Sequence, residues 1–265
     1  MLVAASVCIG AGSWQIARLA QKASWNSELR HNAHAAPVPL TDLVPLTTAP
    51  GRPSTHRIQF HTVTATGSYA AAPVQLVRQA NVNDTDGYYV MSAFDTSEGV
   101  LLVVRGFIAS PPNASTVPVA PPPPSGVVTI HARVQPGETR NDDAAALSNG
   151  QVSSINPHDQ AARLGRPVYN AYVELLPSQP GVGTLVSIPS PDLSNPAGGA
   201  VEPQHVAYII QWYLFALLAL AAPLAMVRAE TRRAPTGEFD DEPTHVPTPD
   251  EVRRAKLADR YGRVR

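Results

Sequence analysis

Two long apolar runs frame this chain. The second, from Val206 to Val227, carries no charge. As a helix it would measure about 33 Å, enough to cross a bilayer core of about 30 Å. The first runs from Leu2 to Gly12 and continues through Trp14, Ile16 and Arg18 to Ala20. Three readings compete for it. A signal peptide would be cleaved near Ala33-His34-Ala35, but no basic residue precedes the run and the site is too distant. A lipoprotein signal would end at Cys8, but Val7 is larger than such sites accept. The third reading, a membrane helix, is favoured. It is a little short for a crossing, which points to a start upstream of Met1.

Between the two runs the pattern has a period of two. His61 to Thr66 alternates threonine with small apolar residues, as a half-buried strand does. Further strand-like runs are Val74–Arg78, Gly87–Phe94, Val100–Val104, Val127–Val134, Tyr169–Leu176 and Thr184–Ile188. Asp95 to Gly99 has hairpin chemistry, with a glycine able to take positive φ. Seven short runs separated by turn signals predict an antiparallel barrel or sandwich. Ser110 to Ser125 holds seven prolines and reads as a polyproline-type surface loop, an exposed spacer before a docking segment. A short helix is predicted over His158–Leu164, ended by Gly165. Asn141-Asp142-Asp143 reads as a turn. Glu238 to Pro249 is acidic and proline-rich, hence extended. Thr248-Pro249-Asp250-Glu251 then has the form of a capping box and starts a charged helix running to about Tyr261.

The predicted fold is therefore a membrane protein with two transmembrane α-helices flanking a mainly antiparallel β domain. Its segments are a first span at 1–22, an extracytoplasmic β-rich domain at 23–205, a second span at 206–228 and a cytoplasmic tail at 229–265. Basic residues near the spans tie at three each: Arg18, Lys22 and Arg30 against Arg228, Arg232 and Arg233. The arginines and lysine further along the tail favour a cytoplasmic C-terminus. Two spans then place both termini on that side and the middle domain outside. Richness in alanine, proline and arginine points to a bacterium, and so to a plasma membrane.

Composition narrows the chemistry. Charged residues are 15%, below the usual share of about 25%. The single cysteine excludes an intrachain disulfide and a cysteine metal cluster. No phosphate loop, zinc-protease helix or nucleophile elbow occurs, and no residue set suggests turnover, so an enzyme is not expected. Basic patches interleaved with aromatics are missing, which argues against nucleic acid. His31 with His34, and His56 with His61, lack supporting carboxylates or cysteines and read as loop histidines rather than metal ligands.

The start of the second span differs. His205, Tyr208, Trp212 and Phe215 fall at helical offsets that share one face. A histidine above an aromatic stripe can ligate a haem iron while the aromatics pack on the macrocycle. The plainer reading is an interfacial aromatic anchor with the histidine packed against another helix.

The pattern His205-x-x-Tyr208-x-x-Gln211-Trp212-x-x-Phe215-Ala216 resembles the second-helix motif of the Surfeit locus protein 1 family. Trp14-Gln15-x-x-Arg18-x-x-x-Lys22 resembles that family's first-helix exit. Gly67-Ser68-Tyr69, Arg78, Gly87-Tyr88-Tyr89-Val90 and Leu102 to Ile108 follow the family's order between the spans. Phe107 stands where many members have tryptophan. The likeness runs from about Leu2 to Arg228, is thin from Ser110 to Tyr169, and leaves out the tail.

The resemblance implies an assembly factor for haem–copper cytochrome c oxidase that assists haem a insertion into the catalytic subunit. It would work in the lipid bilayer with oxidase subunits as partners. His205 matches the histidine proposed as a haem ligand, so a transient haem a is the implied cofactor, with Tyr208 and Trp212 shaping the pocket. Arg18 and Arg105 are candidates for haem propionates. For Arg18 the competing role is a lipid-headgroup contact; for Arg105 a fold-holding ion pair is favoured. An alternative is a permanent structural subunit of the oxidase or of a respiratory supercomplex. There the small residues Ala216, Ala219 and Ala222 to Ala225 would suit helix packing in lipid. A two-span sensor is a third reading, weakened by a tail of 37 residues (229–265), too short for an output domain.

Overall fold

The computed structural model describes residues 2–47, 55–113, 116–139, 150–196, 203–233 and 247–260. The Asn141-Asp142-Asp143 turn and the acidic stretch from Glu238 to 246 lie outside the described residues. In chain order come α1 (Leu2–His34), β1 (Val38–Pro39), α2 (Leu40–Leu43), a 3-10 turn (Thr55–Ile58), β2 (Thr62–Tyr69), β3 (Gln75–Val82), β4 (Thr85–Asp95), β5 (Val100–Ala109), β6 (Val127–Pro136), β7 (Gln151–Val152), α3 (Pro157–Leu164), β8 (Val168–Leu175), α4 (Pro203–Arg233) and α5 (Pro249–Arg260). Two candidate membrane helices thus flank a β domain. The chain divides into one unit of residues 12–210 and another of residues 1–11 with 211–265.

In the first unit the strands close a ring. Their order is β2, β6, β8, β5 and β4, and Ser68 and Tyr69 of β2 pair back onto Asp95 and Phe94 of β4. All the pairings in the ring are antiparallel except β5 with β8. β3 extends the sheet beyond β4, and β7 lies parallel on β3. The alternation in β2 has its physical sense here. Val63 and Ala65 enter the interior, while Thr64 meets His131 at 3.2 Å and Thr66 meets Thr129 at 2.9 Å across to β6. β5 and β8 are buried on both faces, so their sequences read as nearly continuous apolar runs. One face of β5 (Leu101, Val103) meets Ile130 and Val173 in the ring interior. The other face (Val100, Leu102, Val104) packs under α3 with Ile155, Ala161 and Leu164.

Local signals account for several boundaries. The Asn156 side chain accepts from the amides of His158 and Asp159, and Gly165 at φ 64 ends α3. Asn83 and Asp84 both take positive φ, which makes the tight β3–β4 turn and carries β3 four residues past the expected end at Arg78. Thr248 N–H donates to the Glu251 carboxylate at 2.8 Å, the half of a capping box that starts α5.

Two expectations need correction. Thr184–Ile188 is not a strand, because Val186 forms only one bridge, to Phe107. The run is hemmed between glycines at positive φ (Gly181, Gly183) and Pro189, which lacks a donor. Gly99 closes its turn without positive φ; a Cβ there would lie 2.6 Å from Leu46 and 3.0 Å from the Pro167 carbonyl. The helix that holds the expected first span is longer than the span itself. No glycine or proline occurs between Ser13 and Ala36 to end it, so it stays helical to His34.

In the second unit the apolar side chains point outward. Leu2, Val3, Val7, Leu217, Leu218 and Leu224 are exposed, whereas Ala5 and Ala216 are buried and Cys8, Ala219 and Ala222 are half-buried. Small residues inward and large apolar ones outward are the arrangement of helices in lipid, inverted from a soluble core. The chain is a membrane-associated protein. The small residues Ala216, Ala219 and Ala222 are therefore turned inward, and the large ones are left for the surroundings.

Candidate functional site

The second-helix motif lies in the opening turns of α4. His205 is helical, and its side chain lies outside the described residues. On the helical repeat of about 100° per residue, positions 205, 208, 212 and 215 span a sector of about 80°. Tyr208 is 52% exposed, and Trp212 is half-buried with its ring edge-to-face on Phe215 at 6.2 Å. Gln211, on a neighbouring face, is exposed. Arg18 is on α1; its guanidinium carbon lies 5.6 Å above the Trp14 ring one turn earlier. That is a cation–π contact on an exposed helix face. The structure thus gathers His205, Tyr208 and Trp212 by helical repeat, and gives Arg18 a described partner on its own helix. Chemically, the described side chains of the α4 face offer a run of aromatic surface.

A second constellation escaped sequence reading. From Gly12 onward α1 belongs to the same unit as the barrel, and its last turns are bonded to it. Leu29 is fully buried. Asn32 donates to the carbonyls of Arg57 (2.8 Å) and Gln59 (3.0 Å). Arg30 donates to those of Leu193 (2.7 Å) and Ser194 (2.5 Å), and Asn26 to the side chain of Asn195 (3.2 Å). The segment 189–195 is also tied to the barrel, since Arg133 donates to Pro189 O at 2.9 Å and pairs with Glu174 at 2.7 Å. Gln135 adds a bond to the same Glu174 oxygen at 3.1 Å, and Gln59 reaches Gln135 at 3.1 Å. Asparagine and arginine at i, i+4 and i+6 on a helix carry no apolar periodicity, so no sequence signal marks this mount.

Arg105 is the main correction to the residue roles. It is 1% exposed, and among the described residues no carboxylate pairs with it, so the expected ion pair is not seen there. Its Nε donates to Gly181 O at 2.8 Å and its Nη1 to Pro121 O at 2.9 Å, with the Tyr69 ring 5.8 Å away. One guanidinium therefore pins the proline-rich loop and the 181 turn to β5. Burial lowers its pKa, and the neighbouring Tyr69 partly opposes this. Burial pushes the Tyr69 hydroxyl up to about 12 against the Arg105 charge, and that hydroxyl donates to Pro180 O at 2.7 Å. Arg105 is a fold-holding residue, but through carbonyls rather than a counter-ion.

The histidines form no cluster: among the described residues no three metal-ligating side chains gather. The His61 ring is held below its ordinary pKa by burial and then by the His31 charge.

A two-span membrane protein with a closed β-ring domain and an aromatic face on its second helix defines the class. A model of the SURF1 family matches residues 2–217, from α1 through the β domain into the first half of α4. The chain belongs to the SURF1 family, the Surfeit locus protein 1 family that the motifs resemble. It is also similar to proteins named uncharacterized SURF1-like from Mycobacterium bovis and from two strains of Mycobacterium tuberculosis. Each is 31% identical over 260 residues, 95% of this chain and 88% of the relative.

Proposed function

We propose that this chain is an assembly or accessory factor of haem–copper cytochrome c oxidase that assists haem a insertion into the catalytic subunit and performs no catalytic turnover itself. The SURF1 family is linked to cytochrome c oxidase assembly. The observation that supports the reading is the family match running from α1 into α4, with positions 205, 208 and 212 of the His205-x-x-Tyr208-x-x-Gln211-Trp212 pattern on one face of α4.

The residues fit such a group on chemical grounds. His205 would hold it through the imidazole, with the Tyr208 and Trp212 rings packing on the macrocycle and Arg18 pairing with a propionate. If bound, the haem would supply an iron that a neutral imidazole can ligate. A single helix face covers one side of a flat group, which suits temporary holding. Its setting would be a bacterial plasma membrane, with both termini cytoplasmic and the β domain outside, among the oxidase subunits.

A second reading, a permanent subunit of the oxidase or of a respiratory supercomplex, is favoured by α5. Handover has no use for a capped helix beyond the second span.

The test is haem a per oxidase, from reduced-minus-oxidised spectra of oxidase purified from cells lacking this chain and from cells carrying His205→Ala. Haem-deficient oxidase in both strains is the expected result. Fully loaded, active oxidase in both would overturn the haem reading and leave the accessory subunit.

A further inference from the structure

β3 is interrupted at one place. Val77 pairs with Tyr89 and Ala80 with Gly87, so Arg78 and Gln79 together face Tyr88. A two-against-one bulge breaks the alternation of the strand, and here both residues are exposed in succession. Gln79 sits at φ 59, a region disfavoured for any residue with a Cβ and free to glycine. The chain nonetheless carries glutamine there. β7 pairs with the outer edge at Leu76 and Val77, and among the described residues no strand pairs with that edge beside the bulge.

At this point lies an open cavity of about 330 Å³ lined by Arg78, Gln79, Asp86, Gly87, Tyr88 and Ser110. Its floor is closed: a Cβ on Gly87 would run into Ile108 O and lie 2.6 Å from the Phe107 ring. Asn81 holds Asp86 Oδ1 at 2.9 Å. Among the described residues no hydrogen bond or ion pair engages the side chains of Arg78, Gln79, Tyr88 or Ser110, and none engages Asp86 Oδ2. Four polar side chains without partners, gathered by a strained bulge around one cavity, are arranged for a ligand.

We propose that this cavity binds a free carboxylate with an N–H on the adjacent carbon, the chemistry shared by a peptide C-terminus and an amino acid. The Arg78 guanidinium pairs with the carboxylate as a fork. The hydroxyls of Tyr88 and Ser110 and the Gln79 amide donate to its remaining lone pairs. Asp86 Oδ2 accepts the ligand N–H. The same carboxylate repels a phosphate dianion, and the volume, at the lower end of the range for ligand pockets, takes one or two residues. None of this depends on α4 or on haem.

The test uses the full chain in lipid nanodiscs and calorimetric titration with acetyl-Ala-Ala, its C-terminal amide, free alanine and inorganic phosphate. Acetyl-Ala-Ala is expected to bind with a Kd below about 1 mM, the amide at least about tenfold more weakly, and Arg78→Ala to abolish binding. Gln79→Gly should melt at a higher temperature than the parent yet bind about fivefold more weakly, which separates loss of the site from loss of the fold. Free alanine binding as tightly as the peptide would identify an amino acid as the source; weaker binding would identify a chain terminus. No heat with acetyl-Ala-Ala up to about 10 mM, equal binding of the amide, phosphate binding as tightly, or unchanged binding by Arg78→Ala would each overturn the proposal.

Discussion

Replacing Arg105 decides whether a buried cation in this domain holds the fold or waits for a ligand. The structure gives it two short bonds to carbonyls, Gly181 O at 2.8 Å and Pro121 O at 2.9 Å, and a third, long contact to Ser92 at 3.5 Å that adds little. Bonds from a charged donor contribute about 1.5–3 kcal/mol each. Set against them is the cost of keeping a guanidinium dehydrated with no counter-ion, so an apolar replacement removes a penalty as well as two bonds. The carbonyls decide the balance: in Arg105→Met both lose their donor, at about 1–3 kcal/mol each where burial keeps water out. The expected loss is about 3–4 kcal/mol, a large part of a typical domain stability of about 5–15 kcal/mol. Arg105→Lys should recover less than half of it, because one ammonium replaces a fork whose Nε and Nη1 serve different loops. The assay is urea unfolding of the detergent-solubilised chain, followed by limited proteolysis of the loop between Ser110 and Ser125, which should be cut faster once released. A stability within about 1 kcal/mol of the parent, with the loop still protected, would refute the reasoning. Should such a stable variant also lower haem a in the oxidase, the propionate role for Arg105 would return.

Two further predictions rest on the same domain. Tyr69 has its hydroxyl raised to about 12 in the folded chain, against about 10 unfolded, so its contribution is intact below pH 10 and is lost as pH rises towards 12. Tyr69→Phe should flatten that alkaline limb in urea midpoints measured against pH, and superimposable limbs would refute the assignment. Glu174 neutralises Arg133 inside the barrel wall. Glu174→Gln should cost about 3–5 kcal/mol by stranding the buried cation, while Arg133→Met with Glu174→Met should cost clearly less than the two single changes summed. Additive single effects in the cycle would show the pair to be uncoupled.

How much was legible follows the physics of each element. The spans and most strands were readable because burial imposes a period: Val63 and Ala65 against Thr64 and Thr66, or the unbroken Val100–Val104 run of a strand covered on both faces. The α3 stop was legible in Gly165. What failed was non-periodic. The end of β3 depends on Asn83 and Asp84 both accepting positive φ, a turn whose residues lack the usual glycine. β1 and β7 are two residues each, fixed by what they lie beside. Val186 looks like a strand residue and finds only Phe107 to pair with. Of the site, the α4 face was legible because helical spacing is local. The roles of Arg30 and Asn32 were hidden because their partners are backbone carbonyls, and that of Asn26 because its partner, the Asn195 side chain, is remote in sequence.

Those three residues also bear on why a membrane factor of this family carries a barrel. An apolar helix in lipid is free to tilt and rotate unless something outside the bilayer sets its angle. In this chain α1 does not end in a flexible joint; it runs on as one helix and is bonded at two places. Asn32 binds the approach to β2, and Arg30 with Asn26 binds the segment 193–195 that precedes α4. That segment is fixed in turn by Pro189 O on Arg133, which Glu174 anchors across β6 and β8. The side chain of Arg30 thus ties the last turns of α1 to the segment 193–195, and the bonds of Asn32 and Arg133 tie both to the β domain. The β domain accordingly acts as the fixed point for the end of α1.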